Sequence, residues 1–249
     1  MALQDEFRDQ GNFLFKHRSY LPVIIILVGL AVFIFGKIQN TEPSASMHSY
    51  SAFLFLAIGL FGLIIRSVAV GYSGDNTSGR NTTDGQIADS INTTGLYALC
   101  RHPLYVGNFF MWLGIACFTE NFWFIIAFVF FYWLYYERIM YAEESYLISK
   151  YKDSYLEYAA HTPVFVPTFK LWVKPQNTFS WKKIIRQEKS GLLYLFMVIL
   201  IFEIIGNLVN DLPILENNQF WIVAFFIMLL WYISVKIVQK STNYLATDR

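Results

Sequence analysis

Apolar residues in this chain gather into long blocks set apart by short polar stretches. Leu21–Phe35, Tyr50–Val70, Tyr105–Phe118, Phe122–Tyr141, Leu192–Val209 and Phe220–Val238 hold few charges. A helix needs about 20 mainly apolar residues to cross a bilayer, so these blocks predict about six transmembrane helices. The first and third are short and extend into their flanks. The fourth is dense in Phe, Trp and Tyr, which places its ends at the membrane interface. The expected fold is an all-α polytopic membrane bundle, and so many apolar runs between charged loops argue against a soluble helical protein. No internal repeat is visible, so a transporter built from inverted repeats is not suggested. The pattern divides the chain into N-terminal spans with a polar loop (1–90), a central core (91–170), and an interfacial segment with a C-terminal helical hairpin (171–249).

Composition agrees. Of 249 residues, 55% are hydrophobic, 19% aromatic and 15% charged, against about 25% charged in ordinary soluble domains. Mean hydropathy is +0.40. A net charge of +1 gives no reason to expect a nucleic-acid partner, and no obligate protein partner is evident. Cys100 and Cys117 lie beside and inside an apolar run, as small packed residues do. Neither CxxC nor HExxH occurs, so no disulfide framework and no metal site is expected. The polar stretch Met1–Tyr20 and the lack of a small-residue cleavage pattern give no sign of a cleavable signal peptide.

Basic residues orient the spans. Arg8, Lys16 and Arg18 lie in the N-terminal tail, and Arg80 and Arg101 follow the second block. Eight more run from Lys150 to Lys189, and Lys236, Lys240 and Arg249 lie at the C-terminal end. The other side has only Lys37. Both termini and the loops around Arg101 and Glu143 are therefore expected in the cytoplasm. Three Asn-x-Ser/Thr sequences, at Asn76, Asn81 and Asn92, fall in a loop placed inside, where they are chance occurrences. Trp181, Ile184 and Ile185 share one helical face among Lys182, Lys183 and Arg186. That segment reads either as a helix on an anionic leaflet or as a solvated connector.

The chemistry concentrates at one membrane face. The loop from Gly71 to Cys100 is long enough to be functional, but its glycines do not form GxGxxG and no strand precedes them, so a Rossmann cofactor site is not supported. Arg101-His102-Pro103-Leu104-Tyr105-Val106-Gly107 begins the third block. Pro103 suits a first helical turn, whose free N–H groups favour an anion. Arg101 and His102 serve such a site, or else anchor to lipid phosphates and cap the helix. Glu143 and Glu144 follow the fourth block, either as solvated acids or with one of them binding a cation. Tyr97, Tyr105, Tyr141, Tyr151, Tyr155 and Tyr158 lie at the same level, mostly as an interfacial belt, though such rings can hold a sulfonium. Two charges fall within spans. Arg66 is able to snorkel, and Glu203 is a functional candidate or pairs with Asn207 or Arg66.

Thr94-Gly95-Leu96-Tyr97, the RHPLYVG segment, Glu143-Glu144 with Leu147, Tyr151, Tyr155, Tyr158 and Pro163-Val164-Phe165-Val166-Pro167 together resemble the isoprenylcysteine carboxyl methyltransferase and phospholipid methyltransferase superfamily. The resemblance covers roughly Ile91 to Pro167. It implies a membrane methyltransferase that uses S-adenosylmethionine, releases S-adenosylhomocysteine and acts on a lipid substrate within the bilayer. By that resemblance Tyr97, His102, Pro103, Leu104, Tyr105 and Glu143 contact the cofactor. The family's upstream His-Thr-Leu is replaced here by Asp89-Ser90-Ile91-Asn92, with Asn92 as the expected contact. Arg138 matches the acceptor-binding arginine, one residue further from Glu143 than in the prenylcysteine enzymes. Arg80, Arg101 and Arg138 are the candidates to dock an anionic acceptor, and Glu144 is the base an amine acceptor would need.

Ser78-Gly79-Arg80-Asn81-Thr82 and the Thr162–Pro167 ending look more like a bacterial branch of the inner membrane that methylates the 1-phosphate of lipid A. A prenylcysteine carboxylate and a phospholipid amine are the alternative acceptors. Two other classes stay open: an NADPH-dependent sterol-type reductase, which carries a similar RHPxY segment, and a non-enzymatic transporter using Glu203 and Arg66.

Overall fold

Long apolar runs with no proline beyond the first helical turn have one low-energy form in lipid, the helix, because it satisfies its own backbone. A computed structural model of the chain describes residues 2–39, 45–75, 77, 81–82, 85–86 and 88–246, with the backbone alone at 45–51, 81–82 and 85–86. Asn76, Ser78, Gly79, Arg80 and Arg249 lie outside the described residues, as does the side chain of Asn81.

The helices are α1 (Leu3–Lys16), α2 (Tyr20–Gln39), α3 (Ala45–Tyr72), α4 (Leu96–Leu99), α5 (Pro103–Cys117), α6 (Phe122–Tyr151), α7 (Asp153–His161), α8 (Trp181–Val209), α9 (Ile214–Asn217) and α10 (Gln219–Ser241). A two-residue antiparallel pair, Asn81–Thr82 with Gly85–Gln86, interrupts the loop after α3. Among the described residues, α2, α3, α6, α8 and α10 are long and apolar enough to cross a membrane. Their outer faces leave large apolar side chains exposed, such as Leu27 at 61% and Phe130 at 67%. In water such faces would be a liability; lipid is their solvent. The expected polytopic bundle is what the chain forms.

The predicted third span differs. α5 has 15 residues, about 22 Å at 1.5 Å per residue, against about 30 Å of hydrocarbon. It is held by close helix contact with α3. A Cβ on Gly62 would lie 2.4 Å from the Gly107 carbonyl oxygen, and one on Gly114 2.6 Å from that of Phe55. Glycines at these contacts let the two backbones approach as in other membrane helix pairs.

Other ends also moved. α6 runs ten residues past the predicted end at Tyr141, so Glu143 and Glu144 lie on a helix. The N-terminal tail is the helix α1, with Asp5 and Glu6 in its first turn and Lys16 in its last, where the dipole favours them. α1 lies against α6 so closely that a Cβ on Gly11 would be 2.1 Å from the Arg138 carbonyl oxygen.

The Ser180–Arg186 segment is neither an interfacial helix nor a connector but the first turns of α8. The Ser180 hydroxyl accepts from the Lys183 amide. Lys183 is 1% exposed, and its Nζ donates to Ser73 O at 2.8 Å, Ser73 Oγ at 3.0 Å and Gly74 O at 2.7 Å. An ammonium at a helix C-terminus satisfies orphan carbonyls and complements the dipole, so Lys183 caps α3.

Two apolar cores fill the bundle. One joins α1, α2, α5 and α6 through Phe15, Leu21, Tyr105, Phe128 and Tyr132. The other joins α2, α3, α5, α8 and α10 through Phe33, Leu56, Ile115, Phe202 and Trp221. Each draws on more than one of the three sequence segments.

Candidate functional site

The start of α5, the last turns of α6 and the loop after α7 meet at one end of the bundle. Pro103 takes the first position of α5, as expected, and His102 is the N-cap without a capping side-chain bond. Its imidazole turns to the acids of α6 instead. His102 Nε2 donates to Glu144 Oε1 at 2.9 Å, and Nδ1 lies 3.5 Å from Glu143 Oε2. Tyr105 Oη donates to that same Glu143 oxygen at 2.8 Å. The ring of Tyr105 stacks on His102 at 5.5 Å between centroids, and Tyr132 fixes its backbone by donating to Tyr105 O at 2.7 Å.

Arg101 organises the neighbourhood. Its Nε donates to Glu144 Oε1 at 2.9 Å, and its Nη1 donates to the carbonyls of Ala159 at 2.8 Å and Thr162 at 3.2 Å. The Pro163–Pro167 segment then straps down the RHP turn. Arg101 N donates to Pro163 O at 2.9 Å, His102 N to Val164 O at 3.2 Å, and Thr168 N to Leu99 O at 3.0 Å. Phe165 anchors the strap in an edge contact with Trp133. Gly95 opens α4 at φ +64°, a left-handed geometry that favours glycine, and its amide donates to Val173 O at 2.9 Å.

These elements enclose a cavity of about 450 Å³, within the range of small-molecule sites. Of the sequence candidates, Asn92, Tyr97, Arg101, His102, Leu104, Tyr105 and Glu143 line it. Pro103 and Glu144 stand behind that wall, Pro103 buried in the first turn of α5 and Glu144 bonded to Arg101 and His102. Arg138 points elsewhere: its guanidinium sits 3.5 Å over the Phe7 ring of α1 and 3.0 Å from Glu137. Asn92 is enclosed, accepting from Gly74 N at 3.2 Å and donating to Thr77 Oγ1 at 2.8 Å.

Several lining residues were not nominated from sequence. Tyr155 and Tyr158, assigned to an interfacial belt, line the cavity together with Arg18, Arg66, Asn108, Tyr136 and Arg186. Tyr158 Oη donates to Tyr97 O at 2.6 Å. One signal for Arg66 and Asn108 was present in the sequence: Gly107, which ends the RHPLYVG segment, marks a close approach to α3. Arg66 does not pair with Glu203. Its Nε and Nη2 donate to Glu188 at 2.9 and 2.7 Å. Glu203 Oε1 is buried without a hydrogen-bond partner.

The electrostatics suit a polar ligand. Burial alone would lower the His102 pKa, but hydrogen bonds and charge from Glu143 and Glu144 outweigh it and raise it above its ordinary value, so the imidazolium is favoured. Burial, helped by Glu143, holds Tyr97 well above the usual phenol range, and burial does the same for Tyr155 and Tyr158. These phenols stay protonated donors. Burial pushes the Cys100 thiol up to about 12, which removes it as a nucleophile. Among the described residues no group of three His, Cys, Asp or Glu is placed to hold a metal ion.

Tyr155 tests the cavity for a ligand. It is 1% exposed, lines the cavity, and its hydroxyl has no hydrogen-bond partner. A buried polar atom left so is costly. A ligand with a polar edge there would satisfy it. A carboxylate, tyrosine faces and an orphan hydroxyl fit the cation, amino acid and nucleoside parts of S-adenosylmethionine.

The chain matches the phospholipid methyltransferase family over residues 52–154. It is 29% identical over 165 residues to the cobalt-zinc-cadmium resistance protein CzcN of Cupriavidus metallidurans, covering 66% of this chain and 70% of that one. The nickel-cobalt-cadmium resistance protein NccN of Alcaligenes xylosoxydans xylosoxydans is 29% identical over 170 residues, 68% of this chain and 72% of that one. The protein-S-isoprenylcysteine O-methyltransferase of Schizosaccharomyces pombe is 33% identical over 123 residues, 49% of this chain and half the length of that enzyme. No solved structure matches. The matched stretch, from α3 to the start of α7, holds His102, Glu143 and Glu144, and over it this chain is similar to the phospholipid methyltransferase family.

Proposed function

We propose that this protein is an S-adenosylmethionine-dependent methyltransferase acting on an oxygen of a lipid or lipid-modified acceptor. The observation that carries it is the cavity in which His102, Glu143 and Tyr105 converge beside the unpartnered Tyr155 hydroxyl. When bound, the cofactor supplies a methyl on a sulfonium, which an acceptor oxygen takes with its own electron pair while the S–C pair stays on sulfur; oxyanion and sulfonium are both neutralised and no proton is released.

The protein's own task is then to bind, orient and exclude water, and such alignment is worth roughly 7–11 kcal/mol of barrier. Glu143 offers a carboxylate to the cofactor's cationic part, and the rings of Tyr97, Tyr105 and Tyr158 offer their faces. Leu104 and Asn92 complete that wall. His102 holds Glu143 and Glu144 in place, and Arg101 fixes both Glu144 and the strap.

Glu144 decides between acceptor types. An amine acceptor needs a base, yet Glu144 Oε1 already accepts from Arg101 and His102. A carboxylate so engaged is a poor base. An acid acceptor needs none. The 1-phosphate of lipid A, implied by the Thr162–Pro167 ending, and a prenylcysteine carboxylate, suggested by the fission yeast relative, both qualify. The distribution of Lys and Arg supports a site facing the cytoplasm, and the resemblance to the bacterial branch supports an inner membrane.

The test is calorimetric titration of the detergent-purified protein with S-adenosylhomocysteine, followed by labelled methyl transfer to lipid A, a prenylated cysteine and phosphatidylethanolamine. Wild type should bind the ligand, and Glu143→Gln should weaken binding about tenfold or more, the scale of one charge-assisted contact. A protein that binds no S-adenosylhomocysteine and methylates none of the three, or one that oxidises NADPH instead, refutes the reading.

A further inference from the structure

With Arg138 turned toward α1, the acceptor lacks its expected arginine. We infer that Arg66 is the acceptor clamp, binding a lipid-borne oxyanion, carboxylate or phosphate, presented from the bilayer side of the cavity. This assignment rests on the methyl-transfer reading above.

Arg66 lies on α3 and lines the cavity. Its Nε donates to Glu188 Oε2 at 2.9 Å, Nη2 to Glu188 Oε1 at 2.7 Å, and Nη1 to Asn108 Oδ1 at 2.6 Å. A guanidinium has five N–H donors. Three are used, which leaves one on Nη1 and one on Nη2. The Glu188 fork sets the plane of the group, and Asn108, which donates to Tyr136 Oη at 3.3 Å, sets its tilt. Two donors on a fixed plane match two oxygens of a carboxylate or phosphate. A guanidinium offers no acceptor to an ammonium and repels it.

The chain bears costs to keep this group. An ion pair between two membrane helices, with its acid buried and its guanidinium part-buried, is expensive to desolvate. Gly107 sits inside α5, where glycine is a poor helix former; a Cβ there would lie 2.5 Å from Arg66 Cγ and 2.7 Å from Gly62 O. The glycine that closes the RHPLYVG segment thus leaves room for the arginine stem. Replacing the pair by apolar side chains would have served packing alone, so the guanidinium is retained for what it binds.

Depth sets the source of the ligand. Six residues separate Arg66 from Tyr72, the end of α3, about 9 Å along the axis. Asn108 lies five residues into α5, about 7.5 Å. The clamp therefore lies further into the bundle than His102, at a level a lipid head group reaches from the membrane. Between the two lies room for transfer.

The test uses Arg66→Gln combined with Glu188→Gln, which removes both charges together and leaves neither buried alone. Asn108→Ala is the milder variant and keeps the ion pair. The purified protein in dodecyl maltoside is titrated with S-adenosylhomocysteine, and separately with phosphatidic acid, oleate, acetate and inorganic phosphate. Wild type should bind an anionic lipid more tightly than acetate or inorganic phosphate. The double variant should lose about 10- to 100-fold in that affinity, and Asn108→Ala about threefold to tenfold, the scale of hydrogen bonds to charged groups. S-adenosylhomocysteine affinity should hold in all three proteins. Anionic-lipid affinity unchanged in the double variant, no binding of either anionic lipid by wild type, or a parallel loss of S-adenosylhomocysteine binding overturns the assignment. Tighter binding of free phosphate than of phosphatidic acid overturns its lipid source. Wild type that binds anionic lipid but no S-adenosylhomocysteine refutes the methyl-transfer reading and leaves the clamp standing.

Discussion

A phenol hydroxyl with no partner in a buried position is a cost the fold carries for a reason. Tyr155 is such a residue, and its phenylalanine variant separates stability from binding. Tyr155→Phe should raise the unfolding midpoint of the ligand-free protein, by an amount corresponding to about 1–3 kcal/mol, while weakening S-adenosylhomocysteine binding. A midpoint that falls, with binding unchanged, would make the hydroxyl a structural one.

His102 gives a pH signature. Its pKa is raised in the folded protein, so its contribution is fully present below the ordinary histidine value and fades as pH rises through the folded one. The stability difference between wild type and His102→Gln should be largest below the ordinary histidine pKa and shrink as pH rises above it, as read by thermal unfolding across a pH series. A difference that grows with pH contradicts the imidazolium.

The helices tell the same story one scale up. α5 is held to α3 by contacts that only glycine allows; the RHP segment leads into its first turn, and Asn108 follows in its second. Gly107→Ala places a methyl against Arg66 Cγ and Gly62 O. Overpacking of this kind costs about 1–3 kcal/mol, and here it also displaces the guanidinium. The variant should lower the unfolding midpoint and weaken binding of anionic lipid more than that of S-adenosylhomocysteine.

How far these elements were legible follows from what sets them. The apolar runs of α2, α3 and α10 are dictated by the bilayer, and their centres could be read directly. The ends of α6 and α8 could not. Charged residues such as Glu143 and Lys183 read as surface, whereas tertiary partners hold them on helices, Lys183 through the carbonyls of Ser73 and Gly74 just past the end of α3. The RHP turn and the acid pair were visible as motifs, and their meeting depends on a strap whose backbone bonds no side-chain pattern announces. Arg138 was named by resemblance alone, and no sequence pattern announces that Phe7 of α1 covers its guanidinium. Arg66 sits forty residues from the motif that makes room for it, and only packing of α3 on α5 joins them.

At the scale of the whole molecule, the described part divides into two ends of unlike character. One gathers Arg66, His102, Glu143 and the cavity. The other holds Lys37, 3.6 Å from Glu120, with Glu203 of α8 near enough for its charge to act on Lys37. Arg66 is bonded to Glu188 and Asn108, so the two charges that fall within spans do not pair with each other.

The short α5 leaves the protein with unequal thickness. No residue of α5 is exposed, so longer helices stand between it and the lipid, and any mismatch, worth fractions of a kcal/mol for each ångström, reaches it through them. Longer acyl chains raise that cost and bury the mouth of the cavity. Reconstituted in phosphatidylcholine vesicles of increasing chain length, the protein should bind S-adenosylhomocysteine more slowly as the bilayer thickens, though its detergent affinity stays fixed. A binding rate indifferent to chain length would mean that the helices around α5 isolate it from bilayer thickness. Membrane composition would otherwise act as a throttle, set by one helix that stops about 8 Å short of the far side.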